Sequence, residues 1–169
     1  MARLVDLNVV RYDWVPGDTG LTTPSSPKVT ELVAGTTKAL SAYTLTTTAL
    51  NPTGSDTVSE KGIADVVNIV VPIIGNFEGQ LVLFRDFTAG APSASDVMSI
   101  FTASGQVGWI VRRIGLASTT AWAVGQKVDV FKVMTDNPQQ TGGQTDGYLK
   151  LTVPLFQQGV MYLGATTQA

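Results

Sequence analysis

The run Phe77-Glu-Gly-Gln-Leu-Val-Leu-Phe-Arg-Asp-Phe87 limits the fold most, because its central part is apolar at consecutive positions. Side chains alternate between the two faces of a strand, so a strand of this kind must be covered on both sides. Val66–Ile74, Gly108–Gly115 and Lys127–Thr135 also read as strands, and Tyr148–Leu155 alternates cleanly, with Leu149, Leu151, Val153 and Leu155 on one face. A short strand around Val160–Leu163 completes the series. One segment, Ser93–Ser104, has helical spacing. Ser93 stands at an N-cap with Asp96 in the first turn, Val97, Ile100 and Phe101 share a face, and Gly105 supplies a stop. A single helix cannot cover so many strands, so the second cover must come from another sheet or another subunit. The expected fold is mainly β, a sandwich or barrel, with one flanking α-helix at residues 93–104.

A chain of 169 residues suits one domain. Residues 1–27 hold Pro16, Gly17, Gly20, Pro24 and Pro27 around Leu4, Val9, Tyr12 and Trp14, the pattern of an extended arm that lays its aromatics on another surface. The domain proper then spans 28–169. It opens with a short ordered piece, Lys28–Gly35, stopped by glycine. Ala42–Leu50 has the Thr, Tyr and Leu of a strand, while Asn51–Glu60 reads as loop; the stretches 44–60 and 137–147 are the two loop regions.

Charged residues make up only 14% of the chain, against roughly 25% in an average soluble domain. Surface withdrawn into permanent subunit contacts accounts for the deficit, although 22 threonines could also keep a monomer wet. Histidine and cysteine are both absent. Their absence removes the commonest general base, the usual nucleophile triads and nearly every zinc or haem site. The 13 carboxylates form no metal-loop spacing, Gly35-Thr-Thr-Lys38 lacks the frame of a phosphate loop, and Gly105-Gln-Val-Gly108 lacks the third glycine of a dinucleotide fingerprint. No enzyme activity and no cofactor are therefore expected. The net charge is −2 and no basic run exceeds Arg112-Arg113, so no phosphate-gripping patch is expected either. Met1–Val10 carries Arg3, Asp6 and Asn8 and forms no export signal, and Val66–Ile74 is too short to span a membrane.

Several phrases together resemble the major tail proteins of long-tailed phages, especially those that infect actinobacteria. They are Asp6-Leu-Asn with Arg11 and Trp14, Pro27-Lys-Val-Thr-Glu-Leu-Val-Ala-Gly35, Asn76-Phe-Glu-Gly-Gln-Leu-Val-Leu-Phe-Arg-Asp86, Gly108-Trp-Ile-Val-Arg-Arg-Ile-Gly115, Gly125-Gln-Lys-Val-Asp-Val-Phe-Lys-Val133, Asp136-Asn-Pro138 and Val153-Pro-Leu-Phe-Gln-Gln-Gly159. The resemblance implies a tail-tube fold whose hexameric rings stack around a tape-measure protein, join terminator and distal tail proteins at the ends, and let genomic DNA pass without tight binding. It places the protein in the virion. Contacts between subunits are expected at Trp14 in the arm, at Leu50, Asn51 and Thr53 in the Thr-rich loop, and through an ion pair of Arg112 or Arg113. Two other readings fit the composition: a capsid decoration or head-tail joining protein, and a carbohydrate-binding β-sandwich using Trp109, Trp122 or Tyr148 as stacking platforms.

Overall fold

The computed structural model describes residues 9–60, 69–88, 91–92, 96–141 and 148–169. Its strands are β1 (Val10–Pro16), β2 (Lys38–Ala39), β3 (Ala49–Glu60), β4 (Ile69–Phe84), β5 (Phe87–Thr88), β6 (Ala91–Pro92), β7 (Val107–Ile114), β8 (Lys127–Thr135), β9 (Gln139–Thr141), β10 (Lys150–Gln157) and β11 (Tyr162–Thr166), with one short helix, α1 (Val29–Leu32). All but β5 and β6 join one antiparallel sheet in the order β2-β1-β7-β8-β10-β4-β3. One edge of β8 pairs with β7 from Arg112↔Asp129 to Val107↔Met134. The other edge is divided. Its first half pairs with β11, at Thr166↔Lys127 and Tyr162↔Val130, and its last residues pair with β10, at Leu155↔Thr135 and Gln157↔Val133. The mainly β expectation holds, with the layers formed by one sheet that divides at β8.

A first core lies between the two wings of this sheet. Trp14, Ile110, Phe131 and Val133 from one wing meet Leu81, Leu83, Leu151, Val153 and Leu155 from the other, with Leu50, Phe77 and Phe101 around them. Phe77 meets Phe131 edge-on with ring centroids 5.2 Å apart, and Trp14 lies 5.5 Å from Phe101. Each such pair adds about 0.5–1.5 kcal/mol beyond area burial. A second core forms on the opposite face of β1, β7 and β8 from Val15, Trp109, Val111, Val128 and Val130. Leu32 of α1, Leu21, Trp122 and Ala165 close it, so the second cover of β1, β7 and β8 comes from this chain's own helix, loops and β11. The helix is held at its start by Glu31, whose carboxylate accepts the Lys28 and Thr22 amides at 3.2 and 3.1 Å.

Four local expectations change. Of the helix expected at residues 93–104, positions 93–95 lie outside the described residues, and the rest holds only a 3-10 turn, Val97–Ser99. Asp96, expected in the first turn of that helix, makes an ion pair with Arg85, and Val97 and Phe101 are buried from an irregular backbone. The expected N-terminal arm is, from Val10 to Pro16, an interior strand hydrogen-bonded to β2 on one side and β7 on the other; residues 1–8 lie outside the described ones. The loop expected over Asn51–Glu60 is strand β3, and the strand expected over Ala42–Leu50 begins only at Ala49. A long partner, β4, overrides the turn chemistry of Asn51-Pro52 and Gly54, and Pro52 is tolerated because β3 is an edge strand. Within the expected loop 137–147, Gln139–Thr141 pairs with β10 and 142–147 are outside the described residues.

The junction of β1 and β7 leaves no room for a side chain at Gly108. A Cβ there would sit 2.5 Å from Cη2 of Trp14 and 2.7 Å from the Val15 carbonyl oxygen. Gly108→Ala is expected to destabilise the fold by about 1–3 kcal/mol through overpacking; a urea midpoint equal to that of the parent would refute this packing.

Candidate assembly surface

Beyond the core, β3 and β4 continue as a two-stranded ribbon. Leu50 and Phe77 are the last buried residues at its root, and past them Asn51–Ser59 are all exposed, as are Val70, Val71, Pro72 and Gly75. Val58, Val70 and Val71 are 42%, 54% and 52% exposed, and Val58 and Val71 are direct cross-strand partners. A two-stranded hairpin is marginally stable alone in water, and an open edge with apolar side chains is a template for pairing with another chain. The register shifts between Thr53 and Asp56 and again before Thr57. Asn76 holds this bulge by donating its amide to Asp56 at 3.0 Å and to the Gly54 carbonyl at 3.2 Å.

The root is clipped to the opposite wing. Arg112 pairs across strands with Asp129 at 2.9 Å, and its Nη1 donates to the Leu50 carbonyl at 2.8 Å. The second oxygen of Asp129 accepts the Gly164 amide at 2.9 Å. One guanidinium thus ties β7, β8 and the start of the ribbon together.

At the far end of β4 an aromatic patch surrounds a buried ion pair. Arg85 reaches Asp96 with Nε at 2.8 and 2.9 Å and Nη2 at 2.7 Å, and its Nη1 donates to Gln140 of β9 at 3.0 Å. Burial pushes the Asp96 carboxyl up, but the Arg85 guanidinium and the Asp86 and Met98 amides more than offset this and hold it below its ordinary value. Arg85 lies over the Phe87 ring at 4.9 Å, and Phe84 meets Tyr148 edge-on at 5.5 Å. Tyr148 is 77% exposed, with Leu149 and Phe87 also open to solvent.

A third polar cluster is sealed. The Trp122 indole donates to Asp13, with the Arg11 and Arg113 guanidiniums 4.8 and 4.9 Å from its ring. Arg113 donates to the carbonyls of Ala117, Thr120 and Ala121 and to Gln126. Burial raises the Asp13 pKa despite the Arg11 ion pair, and lowers that of Arg113. The cluster latches residues 115–126 over the second core. Among the described residues no group of three His, Cys, Asp or Glu could hold a metal, and no helix is long and apolar enough to cross a membrane.

The sequence matches the phage tail tube protein family over residues 1–169. The chain belongs to that family. Among curated proteins nothing matches it. Among solved structures it is similar to a chain of the anti-feeding prophage baseplate, with a TM-score of 0.55 and 15% identity, covering 98% of this chain and 99% of that one. The likeness shows a shared fold.

In this tail tube family chain the six residues expected at subunit contacts divide. Trp14 and Leu50 are buried in the first core, and Arg113 is buried in the latch. Arg112 makes its ion pair within the subunit. Asn51 and Thr53 are exposed on the ribbon. Trp109 and Trp122 are buried and offer no sugar-stacking face, leaving Tyr148 as the exposed member of that expected trio. Sequence reading missed Val58, Val70, Val71 and the Arg85–Asp96 pair; apolar residues flanking a polar Thr-Gly-Ser-Asp stretch were the available signal for the ribbon.

Arg112→Met, which keeps the aliphatic stem, is expected to lower stability by about 1–3 kcal/mol and to speed hydrogen exchange in Leu50–Thr53; unchanged exchange there would show that the ribbon root does not depend on Arg112. Asp96 contributes stability that is full above the unfolded carboxylate value and lost as pH falls through the lower folded one. The stability gap between the parent and Asp96→Asn is therefore expected to shrink from about pH 6 to about pH 3, measured by urea titration, and a gap that widens with acid would reverse the assignment.

Proposed function

We propose that this chain is the repeating subunit of a phage tail tube, assembling into stacked hexameric rings through which the genome leaves the virion. The ribbon of β3 and β4 carries the reading. It exposes both faces, carries exposed valines and belongs to a chain of low charge, so a second copy of the same chain is its natural cover. The structurally similar baseplate chain comes from an assembly solved with six-fold symmetry, which supports a six-membered ring here. A net charge of −2 with no basic run suits a conduit, since a lumen rich in Lys and Arg would hold DNA by counterion release. The tape-measure protein is the occupant before ejection, and the terminator and distal tail proteins bound the two ends. The tail-protein phrases from Asp6-Leu-Asn to Val153-Pro-Leu-Phe-Gln-Gln-Gly159 resemble those of phages that infect actinobacteria. The subunit acts as one domain without catalytic chemistry.

Replacing residues 54–75 by an Asn-Gly turn joins Thr53 to its cross-strand partner Asn76 and removes only the ribbon beyond its root. The shortened protein is expected to keep its β circular dichroism and its stability to urea within about 1 kcal/mol, and to form no hollow tubes in negative-stain micrographs, where the concentrated parent is expected to form them. Tubes from the shortened protein would remove the ribbon from assembly. A parent that stays monomeric or trimeric at high concentration would overturn the tube reading itself.

A further inference from the structure

After β7 the chain leaves the sheet at Gly115 and turns back towards β8 at Gly125, and no residue between these two belongs to a strand. Both glycines take positive φ, 107° and 86°, and a Cβ on either would meet nothing within 4 Å, so both ends of the segment have room to turn. Trp122 is its one buried residue. The segment carries no charge of its own and is tied down from the sheet beneath it. Arg113 donates to the Ala117, Thr120 and Ala121 carbonyls at 2.8, 2.9 and 3.3 Å, and Arg11 donates to Thr120 at 2.9 Å. The Thr167 hydroxyl adds a bond to the Ala123 carbonyl at 2.7 Å. Cross-strand pairing sets Arg11 beside Arg113, Asp13 beside Val111 and Val15 beside Trp109, so this face of β1 and β7 passes from charged to apolar. Trp122 lies where the two meet, with both guanidiniums against its ring and its N–H on Asp13. The closed arrangement is incompletely satisfied. Arg11 takes the Asp13 carboxylate at 3.0 Å, and Arg113 has carbonyls and Gln126 instead, with its Nε unpartnered among the described residues. A buried donor left unpaired costs free energy that hydration on opening would recover.

We propose that residues 115–125 form a hinged strap that opens at Gly115 and Gly125 while the sheet stays folded, with Trp122 as the intramolecular ligand of an indole-binding slot made by Arg11, Asp13 and Arg113. Closed, the strap seals the second core; open, it uncovers the face around Val111. The inference stands apart from the assembly reading above. Because the chain contains no cysteine, a single introduced thiol reports the opening. Val111→Cys places one in the second core, across the strands from Asp13, and Val153→Cys places one in the first core, both at fully buried positions. In native buffer a disulfide reagent is expected to label Val111→Cys about a hundredfold faster than Val153→Cys. Equal rates would mean that only global unfolding exposes either thiol and would overturn the strap. Adding Trp122→Gly to the Val111→Cys chain is expected to leave the β circular dichroism unchanged and to speed labelling about tenfold further. Millimolar indole is expected to return the rate to that of the Val111→Cys chain, whereas N-methylindole, which lacks the N–H that Asp13 accepts, is not. Loss of the β signal on Trp122→Gly would place the strap within the cooperative fold and overturn its independence. Failure of indole to slow labelling, or equal protection by the two compounds, would overturn the slot.

Discussion

The division of one edge of β8 between β11 and β10 is the constraint from which the rest of the structure follows. A strand has two edges, and β8 gives one wholly to β7 while splitting the other near its middle. Once the partner changes, the two wings can no longer lie in one plane, and their facing side chains close the first core around Phe131 and Val133. The opposite face of β7 and β8 is then left bare of sheet, which is why α1, Leu21 and Trp122 are required there. The latch of Asp13, Arg11 and Arg113 around Trp122 holds one of those covers down. Burying this cluster is tolerable because every charge in it has a counter-charge, a carbonyl or an aromatic face nearby.

The same branch separates the parts of the subunit that build it from the parts that meet other copies. β4 and β3 stand at the outer end of the sheet, furthest from the second core, so they can outgrow it without disturbing it. Leu50 and Phe77 mark where packing stops and projection begins. Arg112 sits at that boundary, joining the Leu50 carbonyl to Asp129, so the rigidity of the doubly covered wing is passed to the base of the ribbon. A projection with a firm base loses less freedom when it docks than a flexible loop would.

Strand period and apolar content were legible in the sequence because they report burial directly. β8 lies over Lys127–Thr135 as expected, and β7 and β10 differ from expectation by a residue or two at their ends. What failed were readings that depend on a distant partner. The spacing from Ser93 puts Asp96 in the first turn of a helix, but Arg85 takes it, and no local pattern shows which use wins. An aromatic among prolines and an arginine in an apolar strand point to neighbouring subunits; within the chain Trp14 packs on Phe101, far along the sequence, while Arg113 is taken by carbonyls of the loop that follows its own strand, residues 117–121. Asn51–Glu60 looked like loop because its Thr, Ser, Asn and Gly reflect exposure, and an exposed strand has the composition of a loop while keeping the hydrogen bonds of a ladder.

That last ambiguity bears on how such a subunit avoids assembling too early. An exposed edge strand invites pairing with any other, and β3 is twelve residues long. It is also interrupted. Pro52 removes one amide donor, and the bulge around Gly54 and Asp56, fixed by Asn76, breaks the regular spacing that a second strand would need. Asp56 adds a charge at the point where two ribbons laid edge to edge would bring like residues close. These features discourage indiscriminate strand addition along the edge, while Val58 and Val71, paired across the ribbon on one face beyond the bulge, remain open to contact from that face. A polar, bulged edge with an apolar tip therefore favours one mode of contact over the commoner one, and specificity of assembly is written into the residues that made the segment look unstructured.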